Sequence, residues 1–241
     1  MNDKPMKRPW LYLTAGLLLA AIAAAGFWLR RRAPMEKERP VCLLTGFEPF
    51  GGSQTNVSWE MLKPLAGQTL AGYRIVTVQL PVLYDDVAIP LYDAILDHNP
   101  ELVICFGEGG PLIEVELLAH NSYGQTRQPD NRGRLPPRQE IIPGGPSELP
   151  TQLPAQEILR ALKDAHIGAK ESRDAGGYLC NECFYRLMAH LQYPAVAKKR
   201  GFVHVPPVGL PGPEGGSYTL EKLQQAVRII IEQTARAARG A

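Results

Sequence analysis

Val41-Cys42-Leu43-Leu44-Thr45-Gly46-Phe47-Glu48-Pro49-Phe50-Gly51-Gly52 is a short apolar run that empties into a loop of glycines and a proline. An unbroken apolar tetrad ended by turn residues reads as a strand buried on both faces. Such a strand needs helices above and below its sheet, and the chain that follows supplies them. A helix is expected at 57–65. Residues 73–82, rich in β-branched side chains, read as a second strand. In 85–98, Val87, Leu91, Ala94 and Ile95 recur at helical spacing, and 101–106 is a third short apolar strand. Strand and helix alternating over short connections is the pattern of a sheet with helices on its faces.

The pattern continues downstream. A strand is expected at 113–119, where Glu114 and Glu116 alternate with Ile113, Val115 and Leu117 and so share one side. The polar, proline-rich stretch 121–150 is too long for a plain connection and reads as part functional cover, part hairpin. An amphipathic helix follows at 153–165, then a short edge strand at 169–172. Residues 201–206 form another buried strand ended by Pro206. A closing helix at 218–238 carries Leu220, Leu223, Val227, Ile230 and Ile231 as one stripe. Nothing repeats internally, which excludes solenoids.

With 241 residues, 45% of them hydrophobic and 21% charged, the chain can bury a full core. Its formal net charge of +2 argues against a nucleic-acid partner, which calls for a concentrated basic stripe. Four cysteines are too few for a disulfide-built scaffold. Cys42 and Cys105 lie in strand-like runs and read as buried thiols.

Residues 10–29 are uncharged and about as long as a bilayer crossing requires, roughly 20 residues. Trp10, Tyr12 and Trp28 stand where interface aromatics belong. The competing reading is a cleaved signal peptide, but the apolar run is long for one and Arg30-Arg31-Arg32 follows directly. The expected organisation is a basic flank at 1–9, a transmembrane anchor or uncleaved signal at 10–29, a charged tether at 30–40 and an α/β domain at 41–241. The basic residues after the anchor slightly outnumber those before it, which places the domain on the cytoplasmic side of the cell membrane and leaves the orientation open.

The chemistry centres on Asp174-Ala175-Gly176-Gly177-Tyr178-Leu179-Cys180-Asn181-Glu182-Cys183-Phe184-Tyr185. Two glycines break the chain before a helical pattern, so Cys180 falls in or beside a helix's first turn. Unpaired backbone N–H groups and the positive end of the dipole stabilise a thiolate there. A cysteine nucleophile needs a base. His98 and His166 stand near helix ends, His190 belongs to the helix after Cys180, and His120 precedes the polar stretch. His204 ends a strand beside a proline break, where open α/β sheets present functional side chains. The run Gly107-Glu108-Gly109-Gly110 lacks the third glycine and the following helix of a dinucleotide loop. Cys180 and Cys183 lack the second pair a zinc site would need.

Thr45–Gly52 followed by Asn56-Val57-Ser58-Trp59, then Asp174–Asn181 with Phe184-Tyr185, then Gly201–Pro206, resemble in order the signature segments of pyroglutamyl peptidase I, a family of cysteine peptidases. The resemblance implies a three-layer α/β/α sandwich with a mixed central sheet, here preceded by a single N-terminal transmembrane helix. It implies hydrolysis of the N-terminal pyroglutamyl residue from peptides through a thioester, without metal or organic cofactor. Residue by residue it puts the nucleophile on Cys180, the base on His204 and the orienting acid on Glu116. Phe47, Phe50, Asn56 and Leu179 fall on the substrate pocket, Arg127 on the oxyanion region and Asp130 on a structural acid beside the site. The family's habit of forming homo-oligomers makes self-association a further expectation. The chain departs from the family at Glu108 and Pro111 and in the proline-rich run after His204. Two alternatives therefore stand beside the peptidase: a silent peptide-binding or membrane-partner protein of the same fold, and a cysteine amidase for another acyl group. From the i, i+3 spacing of Cys180 and Cys183 a disulfide between them is expected in an oxidising compartment.

Overall fold

Nine strands and five α-helices are formed by the residues that the computed structural model describes, namely 39–125, 128–190, 197–212 and 217–240. The expected anchor at 10–29 and the expected site residue Arg127 lie outside them. Among the described residues no helix is long and apolar enough to cross a membrane.

Strand β1 (Val41–Phe47) is buried at every position, as an unbroken apolar run requires of a central strand. It pairs in parallel with β3 (Tyr73–Leu80) on one side and β4 (Leu102–Glu108) on the other. A two-residue strand β2 (Thr69–Leu70) lines the edge of β3 in antiparallel sense. Beyond β4 lies β9 (Lys199–Val205), also parallel, and then β5 (Ile113–Glu116), which runs antiparallel to β9. Strand β8 (Ala169–Ser172) closes the far edge, giving the order β2-β3-β1-β4-β9-β5-β8. The sheet is mixed because β5 and β8 at one side and the short β2 at the other run against the four central strands.

Two apolar clusters lie on the two faces. On one, α1 (Val57–Glu60), α3 (Ala155–Asp164) and α5 (Leu220–Arg239) cover Cys42 and Leu44 of β1 and Ile104 and Phe106 of β4. On the other, α2 (Ile89–His98) and α4 (Leu179–Ala189) cover Leu43, Val103, Cys105 and Phe202. Alternate residues of each strand feed alternate clusters, as the pleat dictates. The result is three layers, helices on a mixed sheet on helices.

Three elements differ from the sequence reading. The helix expected at 57–65 stops after one turn and resumes as a 3₁₀ turn at Lys63–Leu65. Pro64 has no N–H to continue the α ladder but suits the first turn of a new segment. The helix expected from 85 starts only at Ile89, after Asp85 takes a left-handed conformation with φ of 64°. The strand expected at 113–119 divides at Leu117. Its first half is β5, and its second, β6 (Leu118–His120), pairs with β7 (Glu148–Pro150) in a separate two-stranded sheet. The polar stretch 121–150 therefore runs over the sheet's end and returns as a strand.

Candidate active site

His204 is the last residue but one of β9, opposite Gly107 of β4 and Glu114 of antiparallel β5. Two residues further along β5, Glu116 projects from the same face. The His204 Nδ1–H donates to Glu116 Oε1 over 2.7 Å, and both side chains are buried. Glu116 Oε2 has no hydrogen-bond partner among the described residues, so the carboxylate's side-chain hydrogen bond there is the one to the imidazole. Burial pushes the His204 pKa down. The charge and hydrogen bond of a Cys180 thiolate, joined by the hydrogen bond and charge of Glu116, overcome this and raise it to about 10. A protonated imidazole between Cys180 and Glu116 is the state this geometry favours.

Cys180 is the second residue of α4. The residue before the helix, Tyr178, is extended, and no side chain caps the first turn, so its backbone N–H groups face the site with the positive end of the dipole. The next residue, Asn181, anchors that turn from below. Its Oδ1 accepts from the His120 N–H at 3.0 Å, and its Nδ2 donates to the His120 and Ser122 carbonyls, each at 2.9 Å. Two glycines on β4 and its exit make room for the reacting groups. A Cβ on Gly107 would stand 2.7 Å from Cys180 Sγ, and one on Gly109 would stand 2.8 Å from the His204 ring. The glycine run that is no nucleotide loop is thus the floor beneath a thiol and an imidazole.

A pocket of about 240 Å³ opens against the thiol, lined by Phe47, Phe50, Asn56, Val82, Glu108, Tyr178, Leu179 and Cys180. Phe47, Phe50, Asn56 and Leu179, expected from the sequence to meet at a pocket, all lie in this wall. Phe47 ends β1, and Phe50 stands in the loop that β1 empties into. Asn56 caps α1, with Oδ1 accepting from the Ser58 N–H. Val82, Glu108 and Tyr178 were not foreseen as pocket residues. For Glu108 the signal was present, since an acid between glycines at the end of a buried strand has few neutral explanations.

Asp130 stands outside the pocket wall. It accepts from the backbone N–H groups of Tyr84, Arg132 and Arg134 and from Arg134 Nε. Burial pushes its pKa up, and these hydrogen bonds reverse the shift and hold the carboxyl below its usual range. Tyr84 packs edge-on against Tyr178, with ring centroids 5.7 Å apart, so Asp130 supports the pocket through a tyrosine pair. Glu114, Glu116 and His204 bring three possible metal donors within 4.8 Å of one another. Glu114 is already paired with Lys170 at 2.9 Å and Glu116 with His204, so each carboxylate faces a cation of the protein itself. His120 bonds the Arg173 carbonyl, and His190 stacks on Tyr92. Neither belongs to the site.

A thiol at a helix start, set beside a buried imidazole and carboxylate at the end of a mixed sheet, marks the chain as a cysteine hydrolase of the α/β class. A family profile described as pyroglutamyl peptidase matches residues 41–237. The chain belongs to the pyroglutamyl peptidase family. It is 38% identical over 201 residues to the pyrrolidone-carboxylate peptidase of Klebsiella pneumoniae (strain 342), covering 80% of this chain and 93% of that one. The corresponding protein of Thermococcus onnurineus (strain NA1) is 37% identical, with 81% and 98% covered. Among solved structures, pyroglutamyl peptidase I from Bacillus amyloliquefaciens superposes with a TM-score of 0.74 at 34% identity, over 82% of this chain and 95% of that one.

Proposed function

We propose that the protein removes pyroglutamate from the N-termini of peptides, with Cys180 as nucleophile, His204 as the proton carrier and Glu116 as the acid that orients it. The observation that carries this reading is the pocket of Phe47 and Phe50 that closes on Cys180. A pyroglutamyl group is a small uncharged lactam. Aromatic walls bury it without a counter-charge, and a few polar groups fix its orientation.

The Cys180 thiolate attacks the carbonyl that joins pyroglutamate to the next residue. Backbone N–H groups at the start of α4 receive the oxyanion, a contribution of about 3–4 kcal/mol per donor. His204 gives its proton to the leaving amine and a thioester remains. Water, deprotonated by the now neutral imidazole, hydrolyses that thioester, and the proton returns to restore the ion pair. Glu116 keeps Nδ1 protonated and stabilises the imidazolium throughout. We assign Arg127 to the oxyanion region and residues 10–29 to a single-pass anchor that holds the domain at a membrane, with its charge asymmetry favouring the cytoplasmic side.

The test is release of the fluorophore from pyroglutamyl aminomethylcoumarin. The reduced native chain is expected to turn it over, and Cys180→Ala to show no turnover while keeping its unfolding transition. A folded, reduced protein without turnover would leave the silent peptide-binding relative standing, and preference for another acyl group would make it a different amidase.

A further inference from the structure

A second cleft, of about 970 Å³, adjoins the pocket that holds the thiol, and Glu108 stands in the walls of both. Apolar side chains reach it from three parts of the chain: Val57 at the start of α1, Pro207 and Val208 in the run after β9, and Leu220 at the start of α5. Val208 is 52% exposed. It is nevertheless held in place. The Gly209 N–H donates to the Tyr218 carbonyl and the Tyr218 N–H to the Leu210 carbonyl, each at 2.9 Å, which pins the chain beyond Val208 to the residues that lead into α5. The acids of the cleft have partners of their own, since Glu60 is paired with Lys63 at 2.7 Å and Glu108 accepts from the Val57 N–H at 3.1 Å. A scattered exposed valine needs no explanation. One held open in a cleft beside the nucleophile, in the proline-rich run where this chain departs from its family, calls for one.

Resting on the pyroglutamyl-peptidase reading, we propose that this cleft receives the leaving side of the substrate, and that Val208 and Leu220 make the enzyme favour peptides with a large apolar residue directly after the pyroglutamate. The order of the strands gives the direction. Neighbouring strands β1, β4 and β9 carry in turn Phe47 of the ring pocket, Gly107 beneath the thiol, and His204. His204 gives its proton to the leaving amine, so the leaving side of the scissile bond lies toward β9. Pro207 and Val208 are the third and fourth residues after His204, which puts their wall of the cleft on that side. A leucine side chain laid against Val57, Val208 and Leu220 takes apolar surface of both partners out of water. A glycine there gains nothing. Because the cleft is open, the discrimination falls at the low end of what an enclosed apolar pocket achieves, about tenfold.

The experiment measures kcat/KM of the reduced native chain for pyroglutamyl-leucinamide, pyroglutamyl-glycinamide and pyroglutamyl-lysinamide, read as release of the amine. The leucine amide is expected to exceed the glycine amide about tenfold and to exceed the lysine amide as well. Val208→Asp should shrink the leucine-to-glycine ratio to near unity, and Val208→Ile should keep it. The exposure of Val208 lets the fold accept either side chain. Equal turnover of the leucine and glycine amides by the native chain, or preference for the lysine amide, overturns the proposal. So does a ratio unchanged in Val208→Asp, which would put the leaving residue in the polar groove of His120, Ser122 and Gln125 instead. Calorimetry on Cys180→Ala, which lacks the nucleophile, reads the same preference as a ratio of affinities. A native chain that hydrolyses none of the three amides fails the peptidase reading, and the affinity ratio then decides the cleft independently.

Discussion

At the residue scale the site is a balance of charges around one imidazole. Burial alone would keep His204 neutral, and the thiolate and Glu116 outweigh it. Cys180→Ala removes the larger of these favourable influences, so His204 in that variant should titrate well below its native value by nuclear magnetic resonance. An unchanged titration would mean that the thiol is not held as an anion. The linked stability follows in sign. His204 rises from about 6.5 to about 10 on folding. Its own contribution is complete below about pH 6.5 and is lost as pH climbs through 10. Gly107 gives a second test. A methyl group there meets Cys180 Sγ at 2.7 Å and the Phe202 ring at 2.8 Å. Gly107→Ala should cost about 1–3 kcal/mol of stability, as overpacking does, and lower turnover at least tenfold by displacing the thiol. Native-like kinetics would show that the floor can yield. The sequence displayed both residue types, a histidine at a strand end and a glycine run, but the glycines' purpose depended on what lay above them.

At the element scale α4 decides which cysteine can react. The two thiols three residues apart invited the reading that they could join under oxidation, but the helix sends them to different surroundings. Cys180 lines the pocket, whereas Cys183 is buried against the sheet. There its hydrogen bond with the Cys105 thiol, together with burial, holds its pKa well above the usual thiol range. Cys183→Ala should therefore inactivate under mild peroxide at the native rate, because the vulnerable thiol is Cys180 itself. Protection by the substitution would show that Cys183 does reach the nucleophile. Helix periodicity was enough to place Cys180 in the first turn. Which side of the helix faces the core was set by Cys105 and Phe202, strand residues 75 and 22 positions away in the chain. The same holds for the strand expected at 113–119. Its alternation was legible, but the break at Leu117 arises because one half pairs with β8 and β9 and the other with β7.

At the scale of the whole molecule, residues 10–29 make a separate statement from the α/β domain. If they anchor the chain, the full-length protein should sediment with membranes and resist extraction by high salt or alkaline carbonate, while a chain beginning at Arg39 stays in the supernatant with its turnover intact. Recovery of the full-length chain in the supernatant would remove the anchor. The domain itself shows how far local pattern reaches. The sequence by itself determined the succession of strands and helices, the burial of β1, and the placement of a cysteine at a helix start and a histidine at a strand end. These follow from periodicity and turn chemistry, which act over a few residues. Only the tertiary structure decided that β5 enters the sheet reversed, which puts Glu116 within 2.7 Å of His204 across 88 positions of sequence. It likewise decided that Glu108 borders the pocket while its Oε2 accepts from the Val57 N–H across 51 positions. Strand order and hydrogen-bond saturation depend on partners far apart in the chain, and no local periodicity records them.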